Sequence, residues 1–487
     1  MGSFLAELQS QGTKTARTEN GAVTHSTTTN AVLDFFALAG AKRNDIAGAK
    51  TLFRKAFQED RQLAIRALFY LRDIRGGQGE RTLFRELFKE LTRLDLGAAE
   101  KVIGFVPEYG RWDDVISLYG FGGLNKTALK MIRNQLELDA LDRAAGKSIS
   151  LMAKWLPSEN ASSANSRVMA RQIATDLGIS NKKYRQTVVA LRKHIGLLEQ
   201  QMSTNSWDSV DYGKLPSQAS RKHTKAFKRH DETRYEEFLG AVIKGDAKMN
   251  AGTVATYEVL DVVRKGNDNA ANAIWKSLPD YTNGGNAIVV ADTSGSMTAI
   301  ISGSTRAMDV STSLALYFAE HNEGAFKNYF ISFSESPELV AVRGNTLMEK
   351  LRNISTTNWG FNTNIEKVFD LILDAAKRAG ADAEDVPKVI YIISDMEFDS
   401  VRGGRNETNY EAAKRKFDAA GFQLPHVVFW NVASRNSNVP TSAAQTNVTL
   451  VCGLSQSTFR YVLEGKTPVQ SMLDILNGER YSQIVLS

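Results

Sequence analysis

An N-terminal α-helical array followed by an α/β domain built on a doubly wound parallel sheet is the fold class this sequence predicts. Three observations carry it. From residue 31 to residue 202 apolar residues recur at three- and four-residue spacing, with breaks that contain Gly or Pro. Beyond residue 285, short apolar and β-branched runs alternate with helical patterns. Between the two lies Leu278-Pro-Asp-Tyr-Thr-Asn-Gly-Gly-Asn286, a stretch of turn formers that suits a domain boundary. A length of 487 residues allows two or three domains. The expected division is a polar, flexible N-terminus over 1–30, a helical-repeat domain over 31–280 and an α/β domain over 285–487.

The helical elements follow in order. Ala31–Leu38 ends near Gly40, and Ile46–Phe57, Asp60–Leu71, Arg81–Leu94, Ala98–Phe105 and Asp113–Tyr119 come next. Longer periodic patterns cover Lys126–Ala145, Ser166–Leu177 and Asn181–Met202. Helices joined by short connections predict a HEAT-like solenoid or curved array, although no fixed repeat period emerges. The expected strands are Asn286–Asp292, Asn328–Ser334, Lys388–Asp395, His426–Val432 and Asn447–Cys452. Trp359-Gly-Phe-Asn-Thr-Asn364 is a loop that opens the helical pattern Ile365–Arg378.

The first of those strands ends in Asp292-x-Ser294-x-Ser296. One carboxylate and two hydroxyls on a tight loop are hard oxygen ligands, suited to Mg²⁺ or Mn²⁺. The bland alternative is that Ser294 or Ser296 caps the next helix. Thr363 and Asp395 also fall at or just past strand ends. In doubly wound sheets ligands bind outside those carboxyl ends.

An apolar share of 43% and a charged share of 23% are ordinary for a globular chain. The single cysteine, Cys452, excludes an internal disulfide framework and fits a reducing, cytoplasmic setting. It falls in an apolar run, which suits a small core residue better than a nucleophile. No stretch is long and apolar enough for a membrane span, and no signal-peptide core is present. Met1-Gly2 lacks the hydroxyl at Ala6 that myristoylation expects.

Charge is unevenly spread. Residues 286–487 carry 18 Lys and Arg against 22 Asp and Glu, leaving 42 basic and 32 acidic residues to 1–285. A basic N-terminal part points to an anionic partner, most often nucleic acid. The segment Lys214–Arg229 holds six Lys and Arg and no acid: Lys214, Arg221, Lys222, Lys225, Lys228 and Arg229, with His223 among them. At helical spacing Arg221, Lys225 and Lys228 share a face. Lys182, Lys183, Arg185, Arg192 and Lys193 form a second group. Such clusters neutralise phosphates and release counterions; the plain alternative is a solvated helix face. The glycines of Arg72-Asp73-Ile-Arg75-Gly-Gly-Gln-Gly-Glu80-Arg81 have no strand before them and no Gly-Lys-Ser/Thr after. A helix end and tight turn, with Arg and Asp paired across it, is the favoured reading there.

Asp-x-Ser-x-Ser, a loop Thr and a strand-end Asp together resemble the metal-ion-dependent adhesion site (MIDAS) of von Willebrand factor A domains. The resemblance implies Ser294, Ser296 and Thr363 as direct ligands of Mg²⁺ or Mn²⁺. Asp292 and Asp395 would bind directly or through water, and a partner's carboxylate would take the open position. With Tyr70–Arg81, Pro107-Glu-Tyr-Gly-Arg-Trp112 and Lys154-Trp-Leu-Pro157, the chain from about residue 30 to 480 resembles the TROVE-module proteins, whose best-known member is the Ro autoantigen, and most of all a plant, viral and phage branch. The resemblance implies a TROVE-like ring of helical repeats closed by the A domain. It also implies single-stranded RNA ends in a basic hole and small structured RNA outside. The expected function is therefore an RNA-binding, ribonucleoprotein-type scaffold with no membrane partner. The alternative is a metal-dependent protein-interaction module without RNA. Six scattered histidines and no Cys–His or paired-His arrangement give no enzyme.

Overall fold

The computed structural model describes residues 15–282, 285–333, 336–356, 363–382, 385–401, 406–462 and 465–486. Ser334, the loop residues Trp359–Asn362, part of the expected 278–286 boundary and residues 1–14 lie outside them. The chain is mostly helical up to residue 276, and a mixed sheet follows, so the architecture is α plus α/β. Among the described residues no helix is long and apolar enough to cross a membrane.

The chain forms two compact units that do not follow chain order. One holds the residues up to Leu71, Arg75–Gln78 and Ala251–Gln483; the other holds Arg72–Ile74, Gly79–Asn250 and the residues from Ile484 onward. The helix Ala31–Leu38 was expected in the helical array, yet it belongs to the sheet-containing unit. The reason is its composition: all of its residues except Ala31 are buried, so it is covered on every side. It packs on the helix Ile46–Glu59 and on the edge strand of the sheet. Phe36 also stacks on Tyr70 with ring centroids 4.9 Å apart. Residues 15–30, expected to be flexible, carry an antiparallel hairpin, β1 (Thr15–Arg17) and β2 (Val23–His25), and Ala22 at its turn is buried in the core.

The sheet strands are β3 (Ala287–Asp292), β6 (Tyr329–Phe333), β7 (Leu339–Ala341), β8 (Val389–Ser394), β9 (His426–Asn431) and β10 (Val448–Cys452). A small separate hairpin, β4 (Ile300–Ser302) with β5 (Thr305–Arg306), follows β3. The sheet order is β10-β9-β8-β3-β6-β7. All pairs are parallel except β6 with β7. The antiparallel edge β7 escapes a sequence reading because three residues give no period. Every residue of β3, β8 and β9 is buried, as helix-covered parallel strands require. On one face Ile288, Val290, Ile390, Ile392 and Phe429 pack with Val368, Phe369 and Ile372 of the helix Ile365–Ala379. On the other, Phe459 meets Tyr391, Trp430 and Phe318 at ring separations of 5.1, 4.8 and 4.9 Å. Each such fully buried side chain stabilises the fold by about 1.5–3 kcal/mol. The order places the switch point between β8 and β3, whose following connections leave in opposite directions; in doubly wound sheets this is where ligands bind.

In the other unit, Arg81–Leu94 packs on Trp112–Leu118, which packs on Asn125–Ala144, which packs on Asn181–Ile195. Caps set the borders: Ser180 accepts from Lys183 N–H, and Gly196 closes the helix at φ +66°. That glycine divides the expected Asn181–Met202 helix, which resumes as Leu198–Ser203. Three of the quoted motifs meet in one buried polar hub. Arg72 donates to Asp114 Oδ2 from Nε and Nη2 at 2.9 and 2.7 Å, and Arg85 Nε donates to Asp114 Oδ1 at 2.6 Å. Arg111 caps the same carboxylate through its backbone N–H at 3.0 Å, and its guanidinium lies 5.3 Å over the Trp155 ring. A Cβ at Gly110 would sit 2.5 Å from Asp114 Oδ2, so only glycine fits beside the hub.

Candidate metal centre and basic helix faces

β3 delivers Asp292 to the switch point fully buried, and Asp395 follows the neighbouring strand β8 at 3% exposure. Both Asp292 oxygens are engaged. Oδ1 accepts from Ser294 N–H at 2.9 Å, which bends the loop back on the strand end, and Oδ2 accepts from Ser394 Oγ at 2.5 Å. Ser294 Oγ and Ser296 Oγ lie 3.0 Å apart. Neither serine side chain caps the short 3₁₀ turn Gly295–Thr298 that follows, so the capping alternative does not hold there. Past β8, Met396 takes φ +67°, a left-handed conformation uncommon for a residue with a side chain, and the loop closes on itself. Met396 N–H bonds Ser394 Oγ at 3.0 Å, and Glu397 N–H bonds Asp395 Oδ1 at 3.2 Å. Burial first, and then the charge of Asp395, raises the Asp292 carboxyl well above the usual carboxylate range.

Thr363 is 2% exposed and joins this loop through the backbone. Asp399 N–H bonds Thr363 O at 3.0 Å, and Thr363 N–H bonds Asp399 Oδ2 at 3.2 Å. The structure thus links Asp292, Ser294 and Ser296 on the β3 side, and Asp395 and Thr363 around the β8 loop. Among the described residues no group of three His, Cys, Asp or Glu side chains is placed to hold a metal. The donor set here is instead two buried carboxylates with hydroxyls, and hard-oxygen chemistry of that kind fits Mg²⁺ or Mn²⁺.

Four participants escape sequence reasoning or gain a role. Ser394 fixes the Asp292 carboxylate. Asn20, at the hairpin turn, donates from Nδ2 to Thr363 Oγ1 at 3.0 Å and to Glu397 O at 2.7 Å. Glu19 N–H bonds Glu397 Oε2 at 2.7 Å. Arg435, on the loop after β9, reaches Asp395 Oδ2 at 3.2 Å and Glu19 Oε2 at 3.1 Å. Burial raises the Glu397 carboxyl, and the Glu19 N–H and Asn436 amide draw it partly back. No local pattern marks Glu19, Asn20 or Arg435: the first two act across more than 340 positions and Arg435 reaches Asp395 across 40.

The basic residues behave unequally. Lys182, Lys183, Arg185 and Lys193, on the helix Asn181–Ile195, are exposed, as are Lys225 and Arg229. None of these six has an ion-pair partner among the described residues. Arg192 differs: its Nε and Nη2 donate to Ala153 O and Leu156 O at 2.8 and 2.6 Å, so it secures the end of the helix Met152–Trp155. Lys214 pairs with Asp211 at 3.0 Å, Lys228 lies 3.9 Å from Glu236, and Arg221 bonds the Gln218 side chain at 3.0 Å. Lys222 is exposed, and burial lowers the half-buried His223 below its ordinary value, so it adds no charge near neutral pH. The expected continuous face over 214–229 is two short helices, Ser217–Lys222 and Thr224–His230, broken at His223. The break lets Phe227 turn inward against Trp207, Tyr212 and Tyr235, leaving it no exposed ring for a base. In the glycine loop the carbonyls of Arg75, Gly76 and Gly77 face Arg460, Tyr461 and Ser457 and accept from them. A phosphate cradle needs N–H groups in that place. The expected pairing across the turn takes another form: Arg72 pairs with Asp114, in the later motif 42 residues along the chain.

Residues 286–480 match the family model of a domain of unknown function (DUF7788), and residues 18–93 and 127–287 match that of a second domain of unknown function (DUF2828). The chain is 28% identical over 502 residues to "Uncharacterized protein L728" of Acanthamoeba polyphaga mimivirus, with 94% of this chain and 86% of that protein covered. Among solved structures it is similar to the Deinococcus radiodurans RO (RSR) protein, with 12% identity, a TM-score of 0.40, and 91% and 93% of the two chains covered. A likeness at that score carries no weight, and the fold described above stands on its own strand order.

Proposed function

We propose that the chain is an RNA-binding scaffold. The observation that carries this reading is the set of exposed cations Lys182, Lys183, Arg185, Lys193, Lys225 and Arg229, which have no acidic partner among the described residues. Unpaired surface cations attract polyanions because binding releases condensed counterions without breaking an internal ion pair. The motif resemblance to TROVE-module proteins favours RNA as the polyanion, as single-stranded ends or small structured RNA. The test is fluorescence anisotropy with labelled oligouridine across about 50–200 mM salt. With all six residues changed to Ala, the slope of log K against log salt is expected to fall by about 4, at roughly 0.7 per lost contact on a single strand. An unchanged slope overturns the reading.

A specific observation also favours an adhesion role for the other site. Two buried carboxylates, Asp292 and Asp395, follow the adjacent strands β3 and β8 at the sheet's switch point, with Ser294 bonded to Asp292 and Thr363 bonded to the loop after β8. Those five residues would hold Mg²⁺ or Mn²⁺. When bound, the cation would supply an open coordination position for a carboxylate or other oxygen of a protein partner. Ser394 orients Asp292 in advance, and the loop amides at 396 and 397 hold the β8 end in shape. No catalytic role is assigned to any of these groups. If the protein bound a partner through this site and no RNA, the metal-dependent interaction module would be the better description.

A further inference from the structure

Glu19, Asn20 and Arg435 have no part in the reading above, and all three bear on the candidate metal centre. The hairpin that carries the first two is firmly seated. His25 exchanges backbone bonds with Val439 at 3.0 and 2.9 Å, Gly21 bridges to Asp399, and Val23 bridges to Thr408. Its turn, with Gly21 at φ +88° and Thr18 Oγ1 bonded to Phe398 O at 2.6 Å, therefore holds Glu19 and Asn20 at the rim in a fixed place. Arg435 is different. It is 45% exposed and stands on an irregular loop, so its side chain has room to swing away once its two ion pairs are broken.

The contacts set one positive charge between two carboxylates. Arg435 sets one guanidinium nitrogen on Asp395 Oδ2 and the other on Glu19 Oε2, at 3.2 and 3.1 Å. A positive group thus bridges a carboxylate of the site and a carboxylate from elsewhere in the chain. Asp395 Oδ1 already accepts from the Glu397 N–H, so Arg435 takes the carboxylate oxygen left for a cation. A guanidinium and a divalent ion a few ångströms apart repel, and the buried carboxylate is screened little by solvent. We infer that the candidate metal centre is self-occupied: Arg435 stands where the cation would act on Asp395, and Glu19 of the N-terminal hairpin stands where a partner's carboxylate would come, so a divalent cation must displace Arg435 to bind. This rests on the metal reading given above. It gives the site an internal competitor, so that adhesion needs cation concentrations high enough to overcome the arginine.

The test is Mn²⁺ titration by calorimetry of the full chain and of Arg435→Gln and Arg435→Lys, with hydrogen exchange of residues 17–22 and 433–438 followed with and without Mn²⁺. The glutamine variant is expected to bind Mn²⁺ about tenfold more tightly, and the lysine variant to fall between, because Lys keeps the charge but not the fork. In the unaltered chain Mn²⁺ should speed exchange over 433–438, while in Arg435→Gln it should not. Equal affinities in all three proteins, or exchange over 433–438 indifferent to Mn²⁺ in the unaltered chain, overturn the self-occupied site and leave the metal reading standing. No Mn²⁺ binding in any of the three overturns both.

Discussion

His426 illustrates how a single buried group sets the response to pH. It is 1% exposed, with Nδ1 3.1 Å from Asn447 Oδ1 and Nε2 2.9 Å from Thr449 Oγ1. Burial lowers its pKa from 6.5 to about 4. The unfolded chain therefore takes up a proton that the folded chain refuses. The stability is fully present above about pH 6.5 and is lost as the pH falls from there towards about 4. By pH 5 the loss is about 2 kcal/mol, and His426→Gln should remove most of that pH dependence in chemical denaturation at pH 7.5 and pH 5. An unaltered pH dependence in the variant would assign the loss to other groups. Cys452 is the opposite case: its sequence setting already suggested a core thiol. Burial pushes it up to about 11, and it donates to Phe36 O while accepting from Gln78, which makes it unreactive.

Elements are held together by charge as well as by apolar faces. The Arg72–Asp114–Arg85 hub ties the end of one helix to the start of Trp112–Leu118 and to the middle of Arg81–Leu94, with Arg72 and Asp114 both fully buried. Removing one member leaves an uncompensated buried charge, which costs about 3–5 kcal/mol. Asp114→Ala is thus expected to destabilise the protein by that amount in urea denaturation, and Arg72→Met with Asp114→Leu to recover much of it. If Asp114→Ala costs under about 1 kcal/mol, the hub is not a structural tie. The hub was half legible. The Arg and Asp of the glycine turn announce pairing, but not that Arg72 would find Asp114 and share it with Arg85. The central strands were legible nearly to the residue, since all-buried parallel strands must be continuous apolar runs. The β1–β2 hairpin was not. Its residues are polar and few, and its bonding partners lie some 380 to 415 positions away.

Across the whole molecule, binding energy and folding energy are linked. A cation that binds the folded chain and not the unfolded one raises stability by about 2.7 kcal/mol at a hundred times its dissociation constant. Mg²⁺ or Mn²⁺ is therefore expected to raise the melting temperature of the unaltered protein in scanning fluorimetry, and to leave that of Asp292→Ala where it was. Equal shifts in both would place the cation elsewhere on the chain. The compact units also show why domain borders resist reading from sequence. Residues 31–71 look like the helices that follow them, yet they cluster in the unit that holds the sheet.

The sequence by itself determined the local events: where helices and central strands run, that Asp292 and Asp395 fall at or just past strand ends, that the N-terminal part carries the positive excess, and that Cys452 is a core residue. Those follow from periodicity, burial and composition, which act over a few residues at a time. Tertiary structure alone decided that Arg192 secures backbone carbonyls while Lys182 and Lys183 stay exposed, that Phe227 turns inward, and that Glu19, Asn20 and Arg435 converge on the candidate metal centre. The reason is that a side chain's partner is chosen by which surfaces the fold brings within hydrogen-bond reach, and nothing in a residue's neighbours along the chain encodes an oxygen hundreds of positions away.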